Sequence, residues 1–399
     1  MKQEGYNQEA IQSMNRTLIL QYLQQEKMCS RVRLAQLSGL KQATITNIIN
    51  DFISWGIVEE MGLMGGQRGR RAIAIRLEQE RFAVIGVRLA RQFFDVGLFT
   101  LSGELVGERV RTPITDNAPQ AVLDGIARSV LAMIHAASGR QILAVGVAVP
   151  GPYYAKEGII EDVFPGWEKI CVPEELRSQI PLPVCMEHDA NAGVLAERLL
   201  GDHDRKYETI VYLAIGQGIG AGIYHNGQIF RGSTGIAGEI GHISINLDGP
   251  VCSCGNRGCL TAYASTIALT NRINLARQKI DSAAKLLTWQ DLTGDSGDAP
   301  ENDPVIREEF DRNIRYLAAG INSLIYSYNP DLIIIGDEIL ALGKKIADDL
   351  ADRLIYLKRH SDKKKVLVRA SSFDMDPAFV GAAEVAIDYV FHHLGVFWQ

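Results

Sequence analysis

The sequence predicts an α/β protein in which a small N-terminal winged helix-turn-helix precedes a larger, two-lobed α/β body. Three observations predict it. From Ser30 to Glu60, SRVRLAQLSGLKQATITNIINDFISWGIVEE sets two short helical patterns on either side of a glycine turn. The glycine- and arginine-rich stretch GGQRGRRAIAIRL follows, ending as an alternating strand. Beyond Phe82, strand patterns alternate with helical ones, and one strand plan occurs twice.

Composition sets the bounds. A chain of 399 residues, 47% apolar and 22% charged, is ordinary for a globular protein of two or three domains. No uncharged apolar run reaches the roughly 18 residues that a membrane helix needs. The opening MKQEGYNQEA has no apolar core of an export signal. A cytoplasmic, reducing setting is therefore expected, where clustered cysteines bind metal or act in catalysis. Residues 1–77 hold ten Lys and Arg against six Asp and Glu, a balance of +4; the rest hold 31 against 41, a balance of −10. A basic head on an acidic body points to a polyanionic partner for the head alone.

Element by element, Asn7–Glu26 reads as a helix with Ile11, Met14, Leu18 and Tyr22 at helical spacing. Ser30 is a candidate N-cap for a helix through Leu37, and Ser38-Gly39-Leu40 makes the turn. The second helix has the apolar face Ile45, Ile48, Ile49, Phe52 and Ile53, and Gly56 ends it. Gln42, Thr44, Thr46, Asn47 and Asn50 lie off that stripe, with side chains suited to base edges in a major groove. The glycine-flanked Arg68, Arg70 and Arg71 form a wing suited to phosphates or a narrow minor groove. A helical bundle for protein contacts would share the first pattern; the basic wing favours DNA.

In the body, FAVIGVRLARQFFDVGLFTLSGELVGERV reads as three strands, and TIVYLAIGQGIGAGIYHNGQIFRG repeats that plan with an Asn226-Gly227 turn. Each set is followed by a buried strand, in ILAVGVAVPGP and in PDLIIIGDE. Two similar halves suggest a duplication with a ligand cleft between them. The stretch from Asp291 to Pro304 is acidic and turn-rich, as in a solvated loop. The next stretch, from Val305, reads as a long amphipathic helix.

Several motifs together resemble the ROK family of sugar kinases and sugar-responsive repressors: GEIGHISIN, CSCGNRGCL, VPGP, HDANAGVLAE, IGQGIGAGI and the winged head. The head places the resemblance with the repressor branch of the xylose or N-acetylglucosamine type. It implies an actin-like body, a ribonuclease H-like fold duplicated, with residues 78–198 and a C-terminal helix 383–399 as the first lobe and 199–382 as the second, after a head of residues 1–77. It implies a monosaccharide or sugar-phosphate effector held by Gly151, His188, Asp189, Glu239 and His242, with Trp167 under an apolar sugar face. Operator DNA is the other partner, met as a homodimer or tetramer on paired half-sites, with no membrane partner.

Cys252, Cys254 and Cys259 supply three thiolates and His242 a fourth ligand, a set suited to a closed, structural, tetrahedral Zn²⁺ site. Redox cysteines are the alternative. Cys29, Cys171 and Cys185 are scattered and read as core residues.

Asp189 matches the family's catalytic base, and would serve a pure sensor equally well as a sugar acceptor. The phosphate loops depart from the kinase pattern. RLARQ (Arg88, Ala90, Arg91, Gln92) stands where kinases carry Asp-x-Gly-Gly-Thr, Gln217 replaces a threonine and Asp337 a glycine. His188 replaces an asparagine and Thr261 a glutamate that holds a sugar hydroxyl. The expected function is therefore a non-enzymatic, sugar-responsive repressor. A kinase with a fused DNA-binding head and a DNA-binding protein with a vestigial sugar site are the alternatives.

Overall fold

The Asn7 carboxamide accepts a hydrogen bond from the Ala10 amide at 2.8 Å, satisfying one N–H of the first helical turn. In the computed structural model, which describes residues 7–64, 72–137, 139–161, 166–201, 207–294, 303–354 and 366–398, this helix α1 runs Gln8–Glu26. It buries Thr17, Ile19, Leu20, Leu23 and Gln24. The stripe expected from periodicity lies mainly outward: Ile11 is 48% and Met14 54% exposed and Leu18 half-buried, while Tyr22 packs half-buried at the edge of the core. The buried face hides from a hydropathy reading because two of its five residues are polar. Thr17 donates to the Phe391 carbonyl at 2.8 Å, and Gln24 to the Glu384 carboxyl.

Helix α2 spans Arg31–Ser38, one residue past the expected end, with Ser30 accepting from the Arg33 amide. Gly39 closes it in the left-handed region at φ 69°. Helix α3, Gln42–Ser54, buries Ile45, Ile48, Ile49 and Phe52; Ile53, expected on that face, is 37% exposed. Two antiparallel strands follow, β1 (Val58–Met64) and β2 (Ala72–Leu77), in the register Val58↔Leu77. Arg68, Arg70 and Arg71 lie outside the described residues.

The chain divides into two compact units. The first comprises residues 1–150, 164–187 and 379–399, and the second 151–163 and 188–378. The divisions differ from those read in the sequence: residues 1–77 and 379–382 join the first unit, and 151–163 and 188–198 the second. The physical reason for the first difference is a shared core. Ile19, Leu20, Leu23, Ile45 and Phe52 pack in one apolar cluster with Phe82, Val84 and Phe99, and with Phe379, Ala383, Ile387, Phe391 and Trp398 near the chain's end.

Each unit carries a five-stranded sheet on the same plan. In the first unit the strands Phe82–Leu89, Phe93–Thr100, Leu105–Pro113, Gln141–Val149 and Val184–His188 lie in the order third, second, first, fourth, fifth. In the second unit Thr209–Ile215, Ile219–His225, Gln228–Ile229, Leu332–Gly336 and Leu367–Ala370 take the same order. In both, the first strand pairs antiparallel with the second and parallel with the fourth. This is the duplicated plan expected from the repeated strand pattern. The long helix Pro304–Tyr328 packs Leu317, Ile321 and Leu324 into the core of the second sheet.

Candidate functional site

The strand Val184–His188 runs directly into the helix Asp189–Leu200, so His188 and Asp189 stand at a strand-to-helix junction. The Asp189 carboxylate lies in the first turn of that helix, where the N-terminal dipole favours negative charge. His188 Nε2 is 3.2 Å from Asp189 Oδ1 and 3.9 Å from Glu239 Oε1. Gly151 completes the cluster. A Cβ there would lie 2.5 Å from His188 Nε2 and 2.8 Å from Glu239 Oε1, so only glycine lets the backbone come this close. Burial raises the pKa of Glu239; His188 and His242 pull it down, and Asp189 pushes it up. Four of the five expected sugar ligands, Gly151, His188, Asp189 and Glu239, are thus within a few ångströms of one another. The fifth, His242, is within electrostatic reach.

His242 is also one of four residues whose ligand atoms converge. It ends the 3-10 turn Ile240–His242 that follows Glu239, and its Nδ1 lies 3.6 Å from Cys252 Sγ. Cys254 Sγ and Cys259 Sγ are 3.7 Å apart, and the ligand atoms of all four residues lie within 4.8 Å of one another. A disulfide would bring two sulfurs to about 2.05 Å. A tetrahedron with metal–sulfur bonds of about 2.3 Å has edges of about 3.8 Å, close to the 3.7 Å between Cys254 and Cys259. The loop is shaped for this. Cys252 N–H donates to Asn256 O, Gly258 N–H to Pro250 O and Leu260 N–H to Ile243 O. Gly258 has φ 68°, and a Cβ on it would strike Asn246 O.

Burial opposes ionisation of Cys252, but hydrogen bonds involving Cys254, His242 and Cys259 outweigh it and bring the pKa to about 7. Burial, with the neighbouring thiols, pushes Cys259 up to about 12. These four residues can hold a metal ion. Among the other cysteines, Cys29 is buried, whereas Cys171 and Cys185 are half-buried rather than core.

The loop Gly216–Gly218 is held by carboxylates. Asp337 packs on Gly216, whose added Cβ would lie 2.7 Å from Asp337 Oδ2. Glu338 accepts from Thr266 Oγ1 at 2.6 Å and from Gln217 Nε2 at 3.3 Å. Asp337 has φ 72° and ψ −162°, a backbone region essentially reserved for glycine. Glu338 was not singled out by sequence reasoning; its place beside Asp337 in IIIGDE was the only signal. In the other unit, Arg88 is buried, Ala90 N–H donates to Phe93 O in a tight hairpin, and Arg88 stands opposite Asp95. Trp167 is fully buried and donates to Asn117 O, so it is a core residue rather than a sugar platform. Thr261 is half-buried in the short helix Leu260–Ala264.

On α3, Gln42, Thr46 and Asn47 are exposed and Thr44 is half-buried. The Thr46 hydroxyl donates to the Gln42 carbonyl at 2.9 Å. None of the described helices is long and apolar enough to cross a membrane.

Known proteins bear on this geometry. The family model described as the ROK family matches residues 84–389. A xylose repressor of Caldicellulosiruptor bescii is 28% identical over 358 residues, covering 87% of this chain and 88% of its own. A glucokinase of Thermotoga maritima is 30% identical over 316 residues, covering 76% of this chain and 97% of its own. The crystal structure of a ROK family transcriptional regulator, a homologue of the Escherichia coli MLC protein, superposes with a TM-score of 0.76 at 25% identity, covering 96% of this chain and 97% of that one.

Proposed function

The chain belongs to the ROK family, and from that premise we propose that it is a cytoplasmic, sugar-responsive transcriptional repressor that does not phosphorylate its sugar. The observation that carries this reading is the exposed polar face of α3, which a sugar kinase has no use for, in a chain that also gathers Gly151, His188, Asp189 and Glu239. Gln42, Thr44, Thr46 and Asn47 read base edges, and Arg68, Arg70 and Arg71 meet phosphates or the minor groove. The protein acts as a homodimer, because paired half-sites need paired heads. Asp189 and Glu239 accept hydrogen bonds from sugar hydroxyls; Cys252, Cys254, Cys259 and His242 would hold a structural zinc, leaving the other imidazole nitrogen of His242 for the sugar. The metal's contribution is to fix that ring and the loop behind it.

The kinase reading is disfavoured by charge. Phosphates are bound by backbone amides and cations, whereas Asp337 and Glu338 close over Gly216 and Gln217. The test is operator binding by the purified protein across a sugar series, with ADP release followed in the same samples. Release of operator by sugar without ADP production is expected. Sustained sugar-dependent ADP production, abolished by Asp189→Asn, would replace the repressor reading by the kinase one.

A further inference from the structure

We infer that Cys254 and Cys259 form a peroxide-sensitive dithiol, which a hydroperoxide closes to a disulfide. This goes beyond the sugar reading and does not depend on it. All six cysteines lie among the described residues, and of them Cys254 alone is exposed; Cys29, Cys252 and Cys259 are buried, and Cys171 and Cys185 half-buried. A dissolved oxidant therefore meets Cys254 first. Cys254 Sγ is 3.7 Å from Cys259 Sγ, so an oxidised Cys254 already has a second thiol beside it. Cys254 sits in the exposed stretch 253–257, whereas Cys259 is held in place behind it. The Cys259 thiol donates to His242 O at 3.4 Å, and the next amide, Leu260 N–H, donates to Ile243 O at 2.9 Å.

The Cys254 sulfur, its proton released to water, attacks one peroxide oxygen. The O–O bond breaks, hydroxide leaves and Cys254 becomes a sulfenic acid. The Cys259 sulfur, likewise deprotonated, attacks the Cys254 sulfur; the S–S bond forms and a second hydroxide leaves. The two protons and two hydroxides make two waters, and two thiols have given two electrons to one peroxide. The sulfurs must close from 3.7 Å to about 2.05 Å, an approach of about 1.7 Å. Gly255, at φ 86° with open space where a Cβ would lie, is the joint beside Cys254 that allows it. Cys252 is the poorer partner, because one residue separates it from Cys254 and its N–H is tied to Asn256 O at 2.8 Å. Cys254 and Cys259 are two of the four convergent donors, so the disulfide and a bound metal ion exclude one another.

The experiment treats the full chain with a small excess of hydrogen peroxide, then alkylates the free thiols and maps the peptides by mass spectrometry without reduction. Six titratable thiols per chain should fall to about four, with Cys254 and Cys259 in one linked peptide, and dithiothreitol should restore six. Any bound metal should pass to a chromogenic chelator in step with the thiol loss. Cys259→Ser should stop at the Cys254 sulfenic acid, captured by dimedone; the wild-type peptide map decides even where this variant does not fold. The inference is overturned by a disulfide between another pair, by six thiols surviving peroxide, by Cys254 passing to the sulfinic acid with Cys259 free, or by a disulfide formed with the ion still bound. None of these results touches the sugar reading, which the operator assay tests.

Discussion

Replacing Glu384 by Gln should flatten a slope in the protein's pH–stability profile. Glu384 is fully buried on the C-terminal helix, and the Gln24 carboxamide of α1 donates to its two oxygens at 3.0 and 2.9 Å. Burial raises its pKa from 4.5 to about 8; the Gln24 hydrogen bond opposes the rise, and the Asp388 charge one turn along adds to it. The folded protein therefore holds this proton more tightly than the unfolded chain does. The stabilisation is complete below about pH 4.5 and is lost as the pH climbs to about 8. Across that window the loss runs at about 1.4 kcal/mol per pH unit, so between pH 6 and 8 it reaches roughly 2–3 kcal/mol. An amide of the same shape keeps the pairing with Gln24 and does not titrate. The assay is urea unfolding of wild type and Glu384→Gln at several pH values, followed by tryptophan fluorescence; Trp55, Trp167 and Trp398 all belong to the first unit. Subtracting the two profiles cancels every other titrating group. A difference that stays constant from pH 6 to 8 would refute the reasoning, since Glu384 would then be ionised in the fold.

Three further outcomes are expected. Cys254→Ser should lose the bound metal, measured by elemental analysis against about one zinc per wild-type chain, and should lower Tm by roughly 5 °C or more; full metal retention would remove Cys254 from the ligand set. Asp337→Gly should be more stable than Asp337→Ala by about 1–3 kcal/mol, because both lose the carboxylate and only alanine keeps a Cβ at φ 72°; equal denaturation midpoints would show that no strain resides there. Arg70→Ala with Arg71→Ala should weaken DNA binding on all sequences and reduce the salt dependence by up to about two counterions, read from the slope of log affinity against log salt; an unchanged slope would mean the wing stays off the DNA.

What could be read from the sequence was whatever is local. The turn at Gly39 and the repeated strand plan are encoded within short windows and appear where expected. The His242–Cys252–Cys254–Cys259 cluster was legible because three of its members fall within eight residues. The features that escaped depend on distant partners. The stripe Ile11, Met14, Leu18 and Tyr22 fits helical spacing, but the core lies against the opposite face, where Thr17 and Gln24 find their hydrogen bonds near the end of the chain. Trp167, expected beneath a sugar face, is instead buried, its indole donating to Asn117 O of the first unit, a partner 50 residues away that the local sequence does not reveal. The carboxylate clamp on Gly216 joins positions about 120 residues apart, which no window reading could pair.

The apolar cluster joining α1 to the C-terminal helix bears on how such chains can be recombined. An N-terminal reading head attached by a loose tether could be traded between relatives as a self-contained cassette. Here Ile19, Leu20 and Leu23 share one apolar cluster with Phe379, Ala383, Ile387 and Phe391, about 360 residues further along the chain. A crossover that exchanges only the first 77 residues would set a foreign α1 on a surface shaped for another, and would leave Glu384 facing a stranger in place of Gln24. If α3 reads operator DNA as proposed, new specificity would be more readily reached by changing its outward residues one at a time, or by exchanging α1 together with the Pro377–His392 helix.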